Sequence, residues 1–428
     1  MVKRVLMVAY HFPPVQVSSG LQRTLAFSRY LPEHNWQPII LSANPRAYGN
    51  TSDDQLGDIP GKTEVVRAFA LDASRHLSIG GRYLDMMALP DRWSSWWIGG
   101  VWSGLKIIKK YRPAVIWSTY PIATAHLIAL TLHKITGLPW IADFRDSMTE
   151  ETYPREGIRR KVFLWIERQT VKNCSKAVFT TSGAVSMYRN RYPQLPEDKW
   201  LLLPNGYNEE IFSEIEDTHT EEGGDSVKSE RQKRPMVLVH SGVIYPDERD
   251  PEPFFRAIAD LKKKGVIDHQ RLQIILRSTG HDHLFQPILD QLDIEDIVKL
   301  EPGVAYREAL TEMLNADGLI IFQAANCNHQ VPAKIYEYFR AGRPVLALTD
   351  LEGDTAKTLI EAGLCDITPL DNVESIRNTL SDFLTKLEAG EASCANDTSV
   401  KKYSRKTASG ILARWFDLAS KNSDDWNE

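Results

Sequence analysis

Apolar positions along this chain alternate between short uninterrupted runs and longer stretches in which they recur every three or four residues. In the first half, Val5–Tyr10, Pro38–Leu41, Val115–Ser118, Trp140–Asp143 and Ala177–Thr180 read as strands. Leu21–Leu31, the segment after Ser118, Arg159–Asn173 and Ser182–Tyr192 read as helices. Short apolar strands separated by helices predict a parallel sheet covered on both faces. The pattern stops at Glu214–Pro235, a polar run containing Glu-Glu-Gly-Gly-Asp-Ser and Arg-Gln-Lys-Arg-Pro, which reads as a linker.

Beyond it the alternation resumes. Strands are expected at Met236–His240, Leu272–Leu276, Val298–Leu300, Gly318–Phe322 and Val345–Leu348. Helices are expected at Pro251–Lys263, His281–Leu292, Tyr306–Asn315 and Ala333–Arg340. The expectation is α/β, with two Rossmann-like doubly wound domains in tandem, at 1–213 and 236–400, joined by 214–235. Ligands of such sheets bind beyond the carboxyl ends of the strands, so two facing domains would make a central cleft. Residues 401–428 hold a helical pattern, Ser404–Ala419, with Leu412, Trp415 and Phe416 on one side. This helix is expected to cross back and pack on the first domain.

At 428 residues, 43% hydrophobic and 25% charged, the chain has the size and make-up of a multidomain globular protein. Cys174, Cys327, Cys365 and Cys394 are scattered without a Cys-x-x-Cys pair, which argues against a disulfide framework or zinc site and fits a reducing cytoplasm. The basic, apolar start up to Tyr10 is short and is stopped by His11-Phe-Pro-Pro14, so it reads as a buried first strand rather than a signal peptide. Ala114–Leu132 lacks formal charge but holds Ser118, Thr119, Pro121, Thr124, His126 and Thr131, so it reads as strand, turn and helix rather than a membrane span. Residues 1–215 carry 26 Lys and Arg against 19 Asp and Glu; the remainder carries 25 against 37, within a net charge of −5. A basic first half and an acidic second half suggest different partners for each.

The strand Gly318–Phe322 leads through the loop Gln323–Pro332 into a helix opening at Ala333. Pro332 stands where a missing N–H costs nothing. The amides of Ala333, Lys334 and Ile335 would then present the positive helix end to an anion such as a pyrophosphate. Lys334 adds a charge, and Glu337 offers a carboxylate to the two O–H donors of a ribose. The plainer alternative is an ordinary surface pair, Lys334 with Glu337.

Pro332-Ala-Lys-Ile-Tyr-Glu-Tyr-Phe-Arg-Ala-Gly-Arg-Pro-Val345 resembles the donor motif of retaining family-4 glycosyltransferases of the GT-B fold, the superfamily of glycogen synthase and phosphatidylinositol mannosyltransferase. Pro204-Asn-Gly-Tyr-Asn208 resembles the segment that closes that family's first domain. His240-Ser-Gly242 followed by Arg249 resembles its phosphate-holding glycine loop and cation, and Pro13–Gly20 its first-domain glycine loop. The resemblance implies that Glu337 binds the nucleotide ribose and that Gly303-Val304 receives the base through its backbone. It also implies that Ser19 and Gly20 approach the phosphate or sugar from the first domain.

Two departures stand out. The family's first glutamate falls at His329, which could hydrogen-bond sugar or phosphate, or leave that task to Gln330. The glycine-loop cation pair is Val243 and Arg249 here, so Arg277, after its strand, is a candidate second cation; the alternative for Arg277 is a surface salt bridge. In Trp140-Ile-Ala-Asp-Phe-Arg-Asp146, the family's acceptor-side histidine is absent. Asp143 could take the acceptor hydroxyl's proton, or brace an arginine internally. No Asp-x-Asp occurs in the sequence. That fits metal-free transfer, with the leaving group met by cations and a helix terminus.

Arg92-Trp-Ser-Ser-Trp-Trp97 with Trp102 and Lys106–Arg112, and the basic run Arg155–Lys176 with Phe163-Leu-Trp165, combine aromatic and basic residues. They suit either an anionic membrane surface or helices with a solvated basic face. The expected protein is a glycosyltransferase moving a sugar from a nucleotide-sugar donor, a substrate rather than a cofactor, to a saccharide or lipid-linked acceptor. No cofactor, metal or nucleic-acid partner is expected. The expected location is cytoplasmic, at or near the inner membrane face. The alternatives are a nucleotide-sugar-binding protein of the same fold without turnover, and a sugar-nucleotide epimerase.

Overall fold

A computed structural model of the chain describes residues 2–16, 19–78, 82–150, 153–222 and 234–421. Two compact units emerge, Met1–Asn205 with Arg405–Glu428, and Gly206–Ser404. The boundaries therefore fall at 205 and 404, where the sequence pattern placed them at 213, 235 and 400.

Unit 1 is built on a seven-stranded parallel sheet. Its strands are β1 (Lys3–Val8), β2 (Trp36–Ala43), β3 (Glu64–Ala68), β4 (Val115–Thr119), β5 (Trp140–Arg145), β6 (Lys176–Phe179) and β7 (Trp200–Leu202). The spatial order is β3-β2-β1-β4-β5-β6-β7, so the direction of winding reverses between β1 and β4. Its helices are α1 (Ser19–Tyr30), α2 (Trp96–Tyr111), α3 (Ala123–Thr136), α4 (Ile158–Asn173) and α5 (Ser182–Arg191). Helix α2 turns Gly99, Gly100 and Gly104 inward. A Cβ on Gly104 would lie 2.6 Å from Leu132 Cδ1, and one on Gly100 would strike Ile128. Gly100 and Gly104 let α2 lie close against α3, and Trp97, Ile98 and Trp102 are left exposed.

The C-terminal helix Arg405–Lys421 belongs to unit 1, as its pattern indicated. Leu412 and Phe416 are buried, Phe416 meets Trp36 edge-to-face at 5.2 Å, and Lys3 pairs with Asp417 at 2.9 Å. Burying two such side chains is worth roughly 3–6 kcal/mol before entropy is counted. Among the described residues no helix is long and apolar enough to cross a membrane; Ala114–Leu132 falls on β4 and α3.

Unit 2 has a six-stranded parallel sheet in the order β10-β9-β8-β11-β12-β13. Its strands are β8 (Met236–Ser241), β9 (Leu272–Arg277), β10 (Val298–Glu301), β11 (Gly318–Gln323), β12 (Val345–Thr349) and β13 (Ile367–Thr368). The helices used below are α6 (Glu209–Glu222), α7 (Glu252–Lys263), α8 (Asp282–Leu292), α9 (Tyr306–Asn315), α10 (Lys334–Ala341), α11 (Asp354–Glu361) and α12 (Val373–Ala389). Successive side chains of β11 serve opposite faces. Ile320 and Phe322 join the core under α7 and α12, whereas Leu319 and Ile321 join the core that holds Ile335 and Tyr338 of α10. A strand apolar at every position is what burial on both faces requires.

The polar stretch beginning at Glu214 is not all linker, because α6 runs to Glu222. Ile211, Phe212 and Ile215 are buried on one side of α6. Its acids are spaced for ion pairs: Arg340 holds both Glu209 and Glu216, and Arg307 holds Glu214. The rest of that stretch, 223–233, lies outside the described residues.

Candidate functional site

In unit 2 the winding reverses between β8 and β11. The carboxyl ends of these neighbours open a crevice suited to a ligand. His240 lies near the end of β8 and is 1% exposed. Its Nδ1 is 2.9 Å from the carbonyl of Ile320. A carbonyl only accepts, so Nδ1 carries the proton and Nε2 presents a lone pair. Lys334 Nζ, on the first residue of α10, donates to that lone pair at 3.0 Å. Burial, with the Lys334 charge beside it, pushes the His240 imidazole well below its usual range, so it stays neutral. Burial and then the neighbouring Arg249 push the Lys334 ammonium well below the usual lysine range, with Glu337 acting in the opposite sense.

Gly242 makes room for this pair. Its φ of +114° lies where residues with a side chain rarely go, and a Cβ there would stand 3.0 Å from Lys334 Nζ. Arg249 donates through Nε to Gln323 Oε1 at 3.2 Å and through Nη1 to the Val243 carbonyl at 3.0 Å. Gln323, buried at the end of β11, is fixed in turn by donating to the Cys327 carbonyl at 3.3 Å. Two cations are thus brought together at one strand switch, with no carboxylate among the described residues hydrogen-bonded to either, an arrangement that suits a bound dianion.

One turn into α10, Glu337 is 9% exposed and accepts a hydrogen bond from the Tyr306 hydroxyl at 2.7 Å. Helix α10 opens without a side-chain cap. The amides of Ala333 and Lys334 make no backbone hydrogen bond among the described residues, but that of Ile335 donates to the Pro332 carbonyl at 3.1 Å. Ile335 therefore leaves the group of expected anion-binding amides: its turn is closed from i to i+3, and its N–H points into the helix.

Arg277 does not join the cations. Its guanidinium grips Glu312 through two bonds of 2.8 and 2.5 Å and donates to the Pro302 carbonyl at 2.9 Å. The salt-bridge alternative holds, and its effect is to anchor the loop that carries Gly303 and Val304. A Cβ on Gly303 would lie 3.2 Å from Ser278 Oγ, and Val304 remains exposed beside it. His329 is exposed in the loop after β11. That loop is tied down by its neighbours: Asn328 Nδ2 donates to Asp350 at 2.6 Å, and Thr355 donates to the Gln330 carbonyl at 3.0 Å.

In unit 1, Asp143 is fully buried. Oδ2 accepts from Arg23 Nε at 2.8 Å and from the Thr119 hydroxyl at 3.2 Å, and Oδ1 accepts from Arg23 Nη2 at 3.0 Å. Arg23 also donates to the carbonyls of Leu203 and Pro204. The internal brace is what the structure shows; an acceptor hydroxyl has no open oxygen there to reach. Gly20 sits at the start of α1, where a Cβ would lie 2.7 Å from Arg145 Nη1 and 2.9 Å from His11 Nδ1. Burial and the Arg145 charge lower the His11 pKa to about 3, which keeps that ring neutral. Ser19 is the first residue of α1, and its side chain lies outside the described part.

The pattern along the chain missed His240, Gln323, Tyr306 and His11. His240 stood within a quoted motif, but its partner is 94 residues away. The signal available was a polar residue at the carboxyl end of an apolar strand, which is where switch-point chemistry collects.

Residues 19–206 match the sequence model of a glycosyl transferase 4-like domain. No curated protein matches the chain by sequence. Among solved structures it is similar to sucrose-phosphate synthase from Thermosynechococcus elongatus, at 12% identity and TM-score 0.60, over 99% of this chain and 98% of that one. It is also similar to Anabaena Alr3699/HepE in complex with UDP and glucose, at 12% identity and TM-score 0.65, over 98% and 100%. A third is the UDP-GlcNAc 2-epimerase of Neisseria meningitidis bound to UDP-GlcNAc, at 13% identity and TM-score 0.57, over 96% and 98%. The two parallel sheets with alternating helices are the two-domain GT-B fold of these neighbours.

Proposed function

Starting from a family-4-like glycosyltransferase of GT-B fold, we propose that the chain transfers a sugar from a nucleotide-sugar donor to a saccharide or lipid-linked acceptor, in polysaccharide or glycoconjugate synthesis. The observation that carries the reading is the cluster of Lys334, His240, Gly242 and Arg249 at the β8–β11 switch, with Glu337 one turn away. Lys334, Arg249 and the amides of Ala333 and Lys334 receive the diphosphate. Glu337, oriented by Tyr306, takes the ribose hydroxyls, and the loop at Gly303-Val304 receives the base. His329 faces the sugar. UDP is the first nucleotide to test, because the Anabaena neighbour was solved with it.

The transfer is proposed to retain configuration without a metal. The bond from the sugar's anomeric carbon to the phosphate oxygen breaks, and a bond to the acceptor oxygen forms on the same face. The acceptor proton passes to the leaving phosphate. The charge that grows on that phosphate meets Lys334 and Arg249, which are fixed before the reaction and need little reorganisation. Asp143 is left out of this scheme because Arg23 occupies it.

The protein is proposed to work in the cytoplasm, on the inner face of a membrane. On α2, Ile98 is 73% and Trp102 63% exposed, and Lys106 Nζ lies 3.2 Å from the centre of the Trp102 ring. With exposed Trp165 on the basic helix α4, this suits an interface of apolar chains and anionic headgroups. Co-sedimentation with anionic vesicles at low salt tests this part; absence of binding there would remove it.

One departure favours a second reading. His329 replaces the family's first glutamate, so a nucleotide-sugar-binding protein without turnover is the rival. Incubation with a panel of nucleotide sugars and acceptors decides between them. Nucleoside diphosphate release with glycoside formation supports transfer; tight binding with neither release nor transfer supports the rival.

A further inference from the structure

Unit 1 contains a cavity of about 560 Å3 that the donor reading leaves without a task. It lies at the carboxyl edge of the sheet, between the segment that joins β3 to α2 and the one that joins β5 to α4. Two guanidinium groups line it, Arg92 and Arg159. Among the described residues Arg159 makes no ion pair; its guanidinium lies over the Phe163 ring, 5.9 Å from the ring centre. Arg92 stacks 4.5 Å over Trp93, and its Nε lies 3.4 Å from the buried Asp72.

The acids of the cavity are already engaged. Asp91 accepts from the Thr124 amide at 2.9 Å, from the Thr124 hydroxyl and from the Trp93 amide at 3.1 Å. Arg159 is near enough to exert an electrostatic pull on Asp91 without pairing with it. Glu156, almost wholly exposed, leans to Arg160 at 3.6 Å. Of the two guanidinium groups that line the cavity, that of Arg159 is thus left without a hydrogen-bonded carboxylate among the described residues.

Its rim is apolar. Tyr83 and Ile158 line it, Ile158 being 61% exposed, and the next residues in the chain after Tyr83 include Leu84, at 67%, and Met86, at 78%. Exposed side chains of this kind do nothing for a free anion. A flat membrane contact, in turn, needs no concavity lined by two guanidinium groups. One amphiphile uses both.

The geometry points to this cavity as the site for the phosphate of a lipid-linked acceptor, with the hydrocarbon chain running along Leu84, Met86 and Ile158. This inference rests on the proposed transfer reaction and names its acceptor class. It is tested by titrating full-length protein with farnesyl phosphate below its micelle concentration, beside farnesol and inorganic phosphate. Each protein is also titrated with UDP. Farnesyl phosphate is expected to bind at least about tenfold tighter than either fragment. Arg159→Gln, a change at an exposed side chain, is expected to weaken it about tenfold or more, the loss of one charge-assisted hydrogen bond. UDP binding is expected to stay the same in the variant. Farnesyl phosphate binding that is absent, or equal in wild type and Arg159→Gln, overturns the inference. Inorganic phosphate binding as tightly as farnesyl phosphate overturns it too. If UDP binds wild type in those cases, the donor reading survives; if farnesyl phosphate behaves as expected and no nucleotide binds, the donor reading fails and the cavity stands.

Discussion

The Lys334 ammonium donates to the Nε2 lone pair of His240 across 3.0 Å, and the two residues are 94 apart in the chain. A neutral imidazole gives the lysine direction but no counter-charge. Burial beside a second cation therefore disfavours the ammonium's charge, and an arriving phosphate would relieve both costs.

That relationship has a proton signature. Burial and Arg249 hold the Lys334 pKa below the usual lysine range in the free protein. A bound diphosphate supplies an opposite charge and raises it. Binding is thus expected to take up protons in the window between the two pKa values, and nucleotide affinity to fall as pH rises through that window. Below the free-protein pKa the ammonium is charged in both states and the dependence vanishes. Titration calorimetry across a pH series, in buffers of different ionisation enthalpy, measures it; proton release on binding would be the wrong sign.

Glu337 and His329 should separate. Glu337→Ala removes a carboxylate that Tyr306 holds in place, and is expected to weaken nucleotide binding by roughly tenfold or more. Tyr306→Phe should weaken it less. His329→Ala, at an exposed loop position, should change nucleotide affinity least and act on sugar release instead. Equal losses of nucleotide affinity in the Glu337 and His329 variants would refute the assignment.

Asp143→Asn is expected to cost stability. The pair with Arg23 is buried on both sides, and removing one charge strands the other. The loss should be about 3–5 kcal/mol, read as a shift in the denaturant midpoint, with nucleotide binding by the folded fraction unchanged. Wild-type stability with abolished transfer would instead return Asp143 to the reaction.

Much of this fold was legible in the sequence. Strand β11 is apolar at nearly every position because both of its faces are covered, and α10 announced itself by Pro332 and a repeating apolar face. Strand β3, Glu-Val-Val-Arg-Ala, was not seen: it is an edge strand, mostly half-buried, so its polar content is high. Helix α6 was hidden by its many acids, whose partners Arg307 and Arg340 lie far along the chain. The same kind of separation governed the site. The charge of Lys334 and the carboxylate of Glu337 could be read locally, whereas the engagement of Arg277 by Glu312 and of Asp143 by Arg23 depended on which side chains the two sheets brought together.

Sugar transfer is expected to persist in EDTA, since the proposed scheme gives Lys334 and Arg249 the role of a metal beside the leaving phosphate. Activity lost on chelation and restored by a divalent cation would contradict that scheme.

The central claim is that the β8–β11 switch of unit 2 holds a nucleoside diphosphate. Calorimetric titration of UDP, within a panel of nucleoside diphosphates and their sugars, into wild type and Lys334→Ala tests it most directly. Saturable binding to wild type that is roughly ten to a hundredfold weaker in the variant, the worth of a charge-assisted contact to phosphate, is the expected result. Binding of equal strength in both proteins, or none to wild type across the panel, would contradict it.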